Sequence, residues 1–310
     1  MKRLLFALAL CASVAMNAQE KKDSDGVIMV IYENDAHGTL SGYPKMATLK
    51  SAALGRTPYV LTVSGGDFSA DFMPSPSLAR NSKGEAVVKI MNAVGYDYAV
   101  PGNHDFDFGV PVLKNNASIL NASVLCCNLV DNASGELVFP AYELREIGGR
   151  TLAFVGVATP KSVSRQLHDF FYDADGNLMY SFCDDSLIEK VQQSVDKARS
   201  EGADFVIVIS HLGDKPNGSV TSTDLIAQTC GIDVVLDAHA HSVIAGEHKK
   251  NKDGKDVLLG STGLKFANIG ELVIYPDGRD AEFSLVPCQG IDADAATQKA
   301  IESISGEYNY

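Results

Sequence analysis

The chain has 310 residues, and its 45% hydrophobic and 21% charged composition is that of an ordinary globular protein, not a disordered or fibrous one. Its formal net charge of −13 repels nucleic acid phosphates and anionic lipid, so polymeric nucleic acid and membrane surfaces are not expected partners. The length bounds one or two domains, with room for a large core and no need of disulfide staples.

The chain begins with a signal-peptide pattern. Lys2 and Arg3 form a basic start, Leu4 to Met16 is a short apolar stretch, and Asn17-Ala18-Gln19 offers cleavage after Ala18. Removing residues 1–18 would take away two positive charges and move the net charge from −13 to −15. Cys11 raises a lipoprotein alternative, but Leu10 before it stands where a small residue is wanted. No other apolar run reaches spanning length. The expected location is periplasmic or secreted.

Short apolar runs then alternate with helical patterns. Val27–Ile31, Tyr59–Val63, Tyr98–Val100, Val124–Leu129, Leu152–Val157, Phe205–Ile209 and Val234–Leu236 read as buried strands. Between Glu85 and Val94, the residues Val87, Ile90, Met91 and Val94 follow helical spacing, and Gly95 reads as the C-cap. A second helix follows Asp185, with Ile188, Val191 and Val195 on one face. After residue 256 three further strands are predicted, at Val257–Leu259, Glu271–Ile274 and Glu282–Val286, and residues 293–304 can form a short amphipathic helix. The pattern is mixed α/β, with sheet layered between helices. Five cysteines remain after residue 18, an odd number at irregular spacing that is no disulfide framework. Cys126 and Cys127 read as buried strand residues.

The chemistry lies just after the strands. Val27–Ile31 runs into Asn34-Asp35-Ala36-His37-Gly38, Tyr59–Val63 into Gly65-Gly66-Asp67, and Tyr98–Val100 into Gly102-Asn103-His104-Asp105-Phe106-Asp107. Phe205–Ile209 ends at Ser210-His211, and Val234–Leu236 at Asp237-Ala238-His239-Ala240-His241. Carboxyl ends of strands in an α/β sheet open into one crevice, so five strands deliver Asp, Asn and His to one rim. Singly, each string is weak: a lone His at a strand end is usually structural, and an Asp after Gly-Gly is usually a turn residue. Jointly they hold five of the seven histidines, leaving only His168 and His248 to be read as surface residues.

In this order the strings resemble the calcineurin-like metallophosphoesterase superfamily. The longer run from Gly84 through Gly95-Tyr96-Asp97 to Phe108-Gly109 resembles its bacterial 5′-nucleotidase branch. The resemblance covers about Ile28 to Cys288. It implies a four-layer α/β/β/α sandwich with two metals at the strand rim. It also implies a division into signal peptide 1–18, catalytic domain 19–290 and a tail 291–310 placed where a linker helix would begin. Carried over residue by residue, one metal is held by Asp35, His37, Asp67 and His241. The other is held by Asp67, Asn103, His211 and His239, with Asp67 bridging. His104 and Asp107 match the catalytic dyad. Asp105 stands where the family usually has Glu, and Ala238 where it usually has Gly; neither supplies a ligand.

The implied set also makes physical sense. A shared carboxylate holds two cations roughly 3.5–4 Å apart, the spacing useful for in-line phosphoryl transfer. Imidazole with carboxylate suits Mn, Fe or Zn better than Ca. Such a pair makes hydroxide available near neutral pH without a side-chain nucleophile. The implied activity is a 5′-nucleotidase-type phosphomonoesterase on a small phosphorylated substrate. The alternatives are a 2′,3′-cyclic nucleotide phosphodiesterase, a UDP-sugar hydrolase, or a non-catalytic binding protein on the same fold. In the family a second domain stacks aromatic side chains on the base. Here the chain has no Trp, and Phe170-Phe171-Tyr172, the only aromatic cluster, reads as packing. Base recognition is therefore expected from a separate chain, or else to be weak.

Overall fold

The computed structural model describes residues 26–69, 77–163, 168–216 and 218–310. The signal-peptide reading and the side chain of His168 lie outside the described residues. In chain order the strands are β1 (Ile28–Glu33), β2 (Val60–Ser64), β3 (Tyr98–Ala99), β4 (Ser123–Val124), β5 (Val130–Asp131), β6 (Tyr142–Ile147) and β7 (Arg150–Ala158). They continue with β8 (Tyr180–Ser181), β9 (Phe205–His211), β10 (Val234–Asp237), β11 (Val243–Lys250), β12 (Asp256–Thr262), β13 (Asn268–Ile274) and β14 (Glu282–Pro287).

Two six-stranded sheets result, ordered β14-β13-β1-β2-β3-β4 and β11-β12-β10-β9-β7-β6. In the first, β1 to β4 run parallel, and β13 and β14 are added antiparallel. In the second, β7, β9, β10 and β12 run parallel between antiparallel edges. Strand alternation sorts the apolar side chains into separate cores. From β1, Ile28, Val30 and Tyr32 point between the sheets, where they meet Phe154, Ile207, Ile209 and Leu236 of the other sheet. Met29 and Ile31 point outward, beneath Met46, Ile90, Leu113 and Ile301. Those four lie on helices Tyr43–Leu54, Glu85–Val94, Val110–Ile119 and Ala295–Glu307, which cover the first sheet. Helices Leu187–Ser200 and Ser222–Gln228 cover the second through Val191, Val195 and Leu225. This is the four-layer α/β/β/α sandwich, and strands buried on both faces explain the unbroken apolar runs of the sequence.

Local signals set several boundaries. Helix Glu85–Val94 stops at Gly95, whose φ of 80° is left-handed and whose N–H donates to Met91 O. Helix Ser222–Gln228 starts at a capping box, with Thr221 accepting from Asp224 N and Asp224 accepting from Thr221 N. The helix expected in the tail is Ala295–Glu307, capped by Asp294; Ile301 is buried, and Lys89 reaches Glu307 at 2.9 Å.

One expectation is corrected, and two strands are added. The run Val124–Leu129 is not one strand: only Ser123–Val124 is in a ladder. The run is buried because it crosses from one sheet to the other. Leu125 N donates to Ala99 O in the first sheet, and Cys127 N donates to Gly156 O in the second. The edge strands β6 and β11 are absent from the sequence reading because they are partly exposed and carry charge, as edges that avoid further pairing do.

The crossing depends on Gly156. A Cβ there would collide with the carbonyl of Leu125, which is backbone and cannot swing aside. Gly156→Ala is expected to destabilise the fold by about 1–3 kcal/mol, the usual range for overpacking. Urea unfolding measures this, and an unchanged midpoint would contradict the crossing.

Candidate metal centre

The parallel strands of both sheets end at one rim. Asp35 and His37 follow β1, Asp67 follows β2, Asn103 and His104 follow β3, His211 ends β9, and His239 and His241 follow β10. Ten non-glycine residues among those described have a positive φ; Asp35, His37, Asp67, His239 and His241 are five of them. Left-handed backbone costs free energy at ordinary residues, so strain is concentrated on this rim. Gly66 lets the loops close: at φ +95° its missing Cβ would lie 2.6 Å from Gly102 N and 2.8 Å from His211 Nδ1.

Three groups of carboxylate and imidazole form one nest. Asp35 Oδ1 lies 3.7 Å from His37 Nε2 and 3.5 Å from His241 Nε2, and the two imidazole nitrogens are 3.2 Å apart. Asp67 Oδ2 lies 3.5 Å from His37 Nε2 and 3.4 Å from His211 Nε2. The third group is His37, Asp67 and His104. His239 Nδ1 sits 2.8 Å from Asn103 Oδ1, and its ring is 5.3 Å from that of His211. Five of the seven expected ligands, Asp35, His37, Asp67, His211 and His241, fall in these groups, and His239 with Asn103 adjoins them through the His211 ring. The dyad is also assembled: His104 Nδ1 is 3.3 Å from Asp107 Oδ1.

The nest is electrostatically incomplete without cations. Asp35 Oδ1 and His211 Nε2 are buried and make no hydrogen bond, an expensive state for polar atoms. His211 Nδ1 lies 2.7 Å from Gly65 O, which fixes the tautomer and turns the Nε2 lone pair into the nest. Burial alone would lower the His211 pKa, but the charges of Asp67 and Asp35 raise it to about 10. The carboxylates thus favour positive charge at this position, which a bound cation would supply in place of the proton. Burial pushes Asp67 up, yet His211, His37 and His104 hold it well below the usual carboxylate range. His239 falls to about 4, first through burial and then through His211. Donor separations of 3.2–3.7 Å match ligands that share a cation at about 2.0–2.2 Å. The residues fit metal ions.

Residues that the sequence reading left without a role hold the loops. Asn34 donates to Asp35 Oδ2 at 2.7 Å and to Gly263 O at 2.9 Å, and its Oδ1 accepts from Thr262 N at 2.8 Å, joining the two sheets. Asp105 accepts from Asp67 N, Ser69 N and Gly102 N, each at 2.8 Å, and from Ser69 Oγ at 2.6 Å. Asp105 thus clamps the loop of Asp67 to the turn that carries Asn103 and His104. Asp237 Oδ1 accepts from Gly213 N at 3.1 Å and from Ser222 Oγ at 2.5 Å, beneath the His211 loop. Arg80 Nη1 lies 3.6 Å from Asp107 Oδ2. Asn34, Asp105 and Asp237 stand inside the motif strings; Arg80 carried no sequence signal.

A two-sheet sandwich with carboxylates and imidazoles gathered at one rim is the architecture of a candidate metal-binding domain. The calcineurin-like phosphoesterase family matches residues 30–243, and the chain belongs to that family. It is 28% identical over 206 residues to the endonuclease YhcR of Bacillus subtilis, covering 60% of this chain and 16% of that protein. It is 24% identical over 277 residues to the 2′,3′-cyclic-nucleotide 2′-phosphodiesterase/3′-nucleotidase of Salmonella typhimurium, covering 83% of this chain and 41% of that protein. The structure of a 5′-nucleotidase precursor from Thermus thermophilus has the same fold. It superposes with a TM-score of 0.75 at 19% identity, over 91% of this chain and 59% of that one. The chain therefore spans only part of the length of these relatives.

Proposed function

We propose that this chain is an exported phosphoesterase that hydrolyses small nucleotide-like phosphate esters, most simply as a 5′-nucleotidase-type phosphomonoesterase, with two divalent metals of the Mn, Zn or Fe type. One observation carries the reading: two imidazoles converge on one Asp67 oxygen, Oδ2, with His37 Nε2 at 3.5 Å and His211 Nε2 at 3.4 Å. Asp35, His37, Asp67 and His241 would hold one metal, and Asp67, Asn103, His211 and His239 the other. Bound there, the metals would supply Lewis acidity toward phosphoryl oxygens and a nucleophile from water near neutral pH. Asp107 orients His104, whose side chain is 30% exposed and so can reach a substrate's leaving oxygen. The Asp105 clamp keeps Asp67 and His104 in register through the reaction.

Cyclic phosphodiester cleavage is the second reading, favoured by the Salmonella relative's name and by the 83% of this chain that the match covers. The acidic surface argues against a polymeric substrate, although one relative is an endonuclease. No helix among the described residues is long and apolar enough to cross a membrane, and a periplasmic or secreted location accords with the basic-apolar start of the sequence. A separate chain supplying base recognition has no observation of the structure in its favour.

The test is a hydrolysis screen over nucleoside monophosphates, 2′,3′-cyclic nucleotides and nucleotide-sugars with Mn, Zn, Fe and Ca. Turnover of at least one class that Ca does not support is expected; no hydrolysis of any with a metal-loaded chain refutes the reading. Removing metal is itself expected to destabilise. Ligands present at about 100 times their Kd stabilise by about 2.7 kcal/mol each. A chelated sample should thus melt at least about 5 °C lower, given about 2–4 °C per kcal/mol, and regain its melting point when metal is returned.

A further inference from the structure

Beside the metal rim lies an open cleft of about 460 Å³, within the usual size of small-molecule sites. Its walls include Val163, Tyr172 and Leu178, its floor includes Phe182, and Lys161 and Asp184 stand at its edge. This is an apolar, aromatic lining with two charged groups of opposite sign, the pattern of a site for a planar, partly polar molecule.

The cleft is built rather than incidental. One wall is a hairpin: Tyr172 bridges Leu178, Asp173 N donates to Asn177 O at 2.9 Å, and Asn177 N donates to Asp173 Oδ1 at 2.8 Å. The opposite wall is the turn Pro160–Ser162, capped by Thr159. That turn leaves β7 at Ala158, which pairs with His211 in the sheet register, so it rises from the same rim as the candidate ligands. The floor packs on the turn that carries two of the candidate site residues. The Phe182 ring stands edge-on to Phe106 at 5.4 Å, and Phe106 closes the turn Asn103–Phe106 that carries Asn103 and His104. The sequence reading assigned Phe170-Phe171-Tyr172 to packing. Phe171 packs, buried against Phe106 and Phe182, and Tyr172 packs half-buried against the same core while also lining the cleft.

We infer that this cleft is the leaving-group subsite of the chain, and that its occupant is the base of a nucleoside phosphate whose phosphoryl group lies at the metal rim. The inference rests on the proposed phosphoesterase activity for its meaning, and its test is separable from that activity. A base offers a π-face to half-buried Tyr172, apolar contact to Val163 and Leu178, and polar edges to Lys161 and Asp184. Selectivity for the base then resides at least in part in this chain.

Adenosine, which has no phosphoryl group to hydrolyse, is the probe. Titration calorimetry of the full chain is expected to show saturable adenosine binding with or without metal. Tyr172→Ala should weaken it at least about tenfold, the lower end of what losing a base-stacking side chain costs, and Leu178→Asp should abolish it. Thermal melts identify any variant that fails to fold, and either variant suffices. With metal loaded, kcat/KM for AMP should fall about tenfold in Tyr172→Ala while that for glycerol phosphate stays unchanged. Adenosine binding that follows the cleft without any ester hydrolysis would still support the subsite while removing the proposed activity. No adenosine binding by the wild-type chain, or equal binding by the folded variants, overturns it.

Discussion

Asp67→Asn is expected to strip metal from both sides of the centre and to reduce turnover to below about 10⁻³ of the native rate, a loss of about 4 kcal/mol of transition-state stabilisation. The carboxylate's Oδ2 faces His37 at 3.5 Å and His211 at 3.4 Å, so one charge serves two donor groups. An amide of the same size keeps an oxygen for the His104 N–H that now donates to Oδ1 at 2.7 Å, and the backbone of the loop stays clamped by Asp105. The variant should therefore fold, and the deficit should appear in metal content. Elemental analysis of the purified variant is the measurement. Two metals per chain with normal turnover would show that Asp67 bridges nothing.

His104→Asn is expected to leave metal content nearly intact and to slow turnover by about 10²–10⁴-fold, the range for a lost acid–base group. The geometry makes this a real contest. His104 belongs to a group with His37 and Asp67 close enough to share a cation. It also lies 3.3 Å from Asp107, and its side chain is 30% exposed, whereas those of His37 and His211 are fully buried. Hydrogen bonding to Asp107 and the nearby charge of Asp67 raise the His104 pKa against the opposing effect of burial, which suits a group that carries a proton toward substrate. Collapse of metal binding in the variant would make His104 a ligand and leave the dyad without its acid. Asp107→Asn distinguishes the two further: a lesser loss of turnover with full metal content is expected, since Asp107 acts through His104.

The legible part of the fold was the part with a local cause. Strands buried on both faces give unbroken apolar runs, so β1, β2, β9 and β10 stand out in the sequence. Helix Glu85–Val94 shows a 3.6-residue stripe and its own stop at Gly95. The site strings could be read because chemistry at a strand end leaves a short run of unusual residues. Asp35, His37, Asp67, Asn103, His104, His211, His239 and His241 are each adjacent to a predicted strand.

Tertiary structure alone decided the rest, because the causes there are nonlocal. Nothing near Leu125 announces that the chain crosses between sheets; the partners are Ala99 and Gly156. Five strand ends point to one rim only once two separate sheets have stacked, and Asn34 joins them through Thr262 and Gly263, more than 200 residues away. The four backbone and hydroxyl donors that converge on Asp105 come from two loops, so its role could not be read from its own neighbours. The cleft at Tyr172 and Phe182 is likewise a product of packing. Its rings are scattered in sequence, and the contact of Phe182 with Phe106 brings them to the turn that carries Asn103 and His104. Local propensity and periodicity mark which residues form elements and which strand ends carry carboxylates and imidazoles. Loop-to-loop hydrogen bonds and ring contacts between distant segments fix how those ends meet, and a single sequence does not carry those pairings.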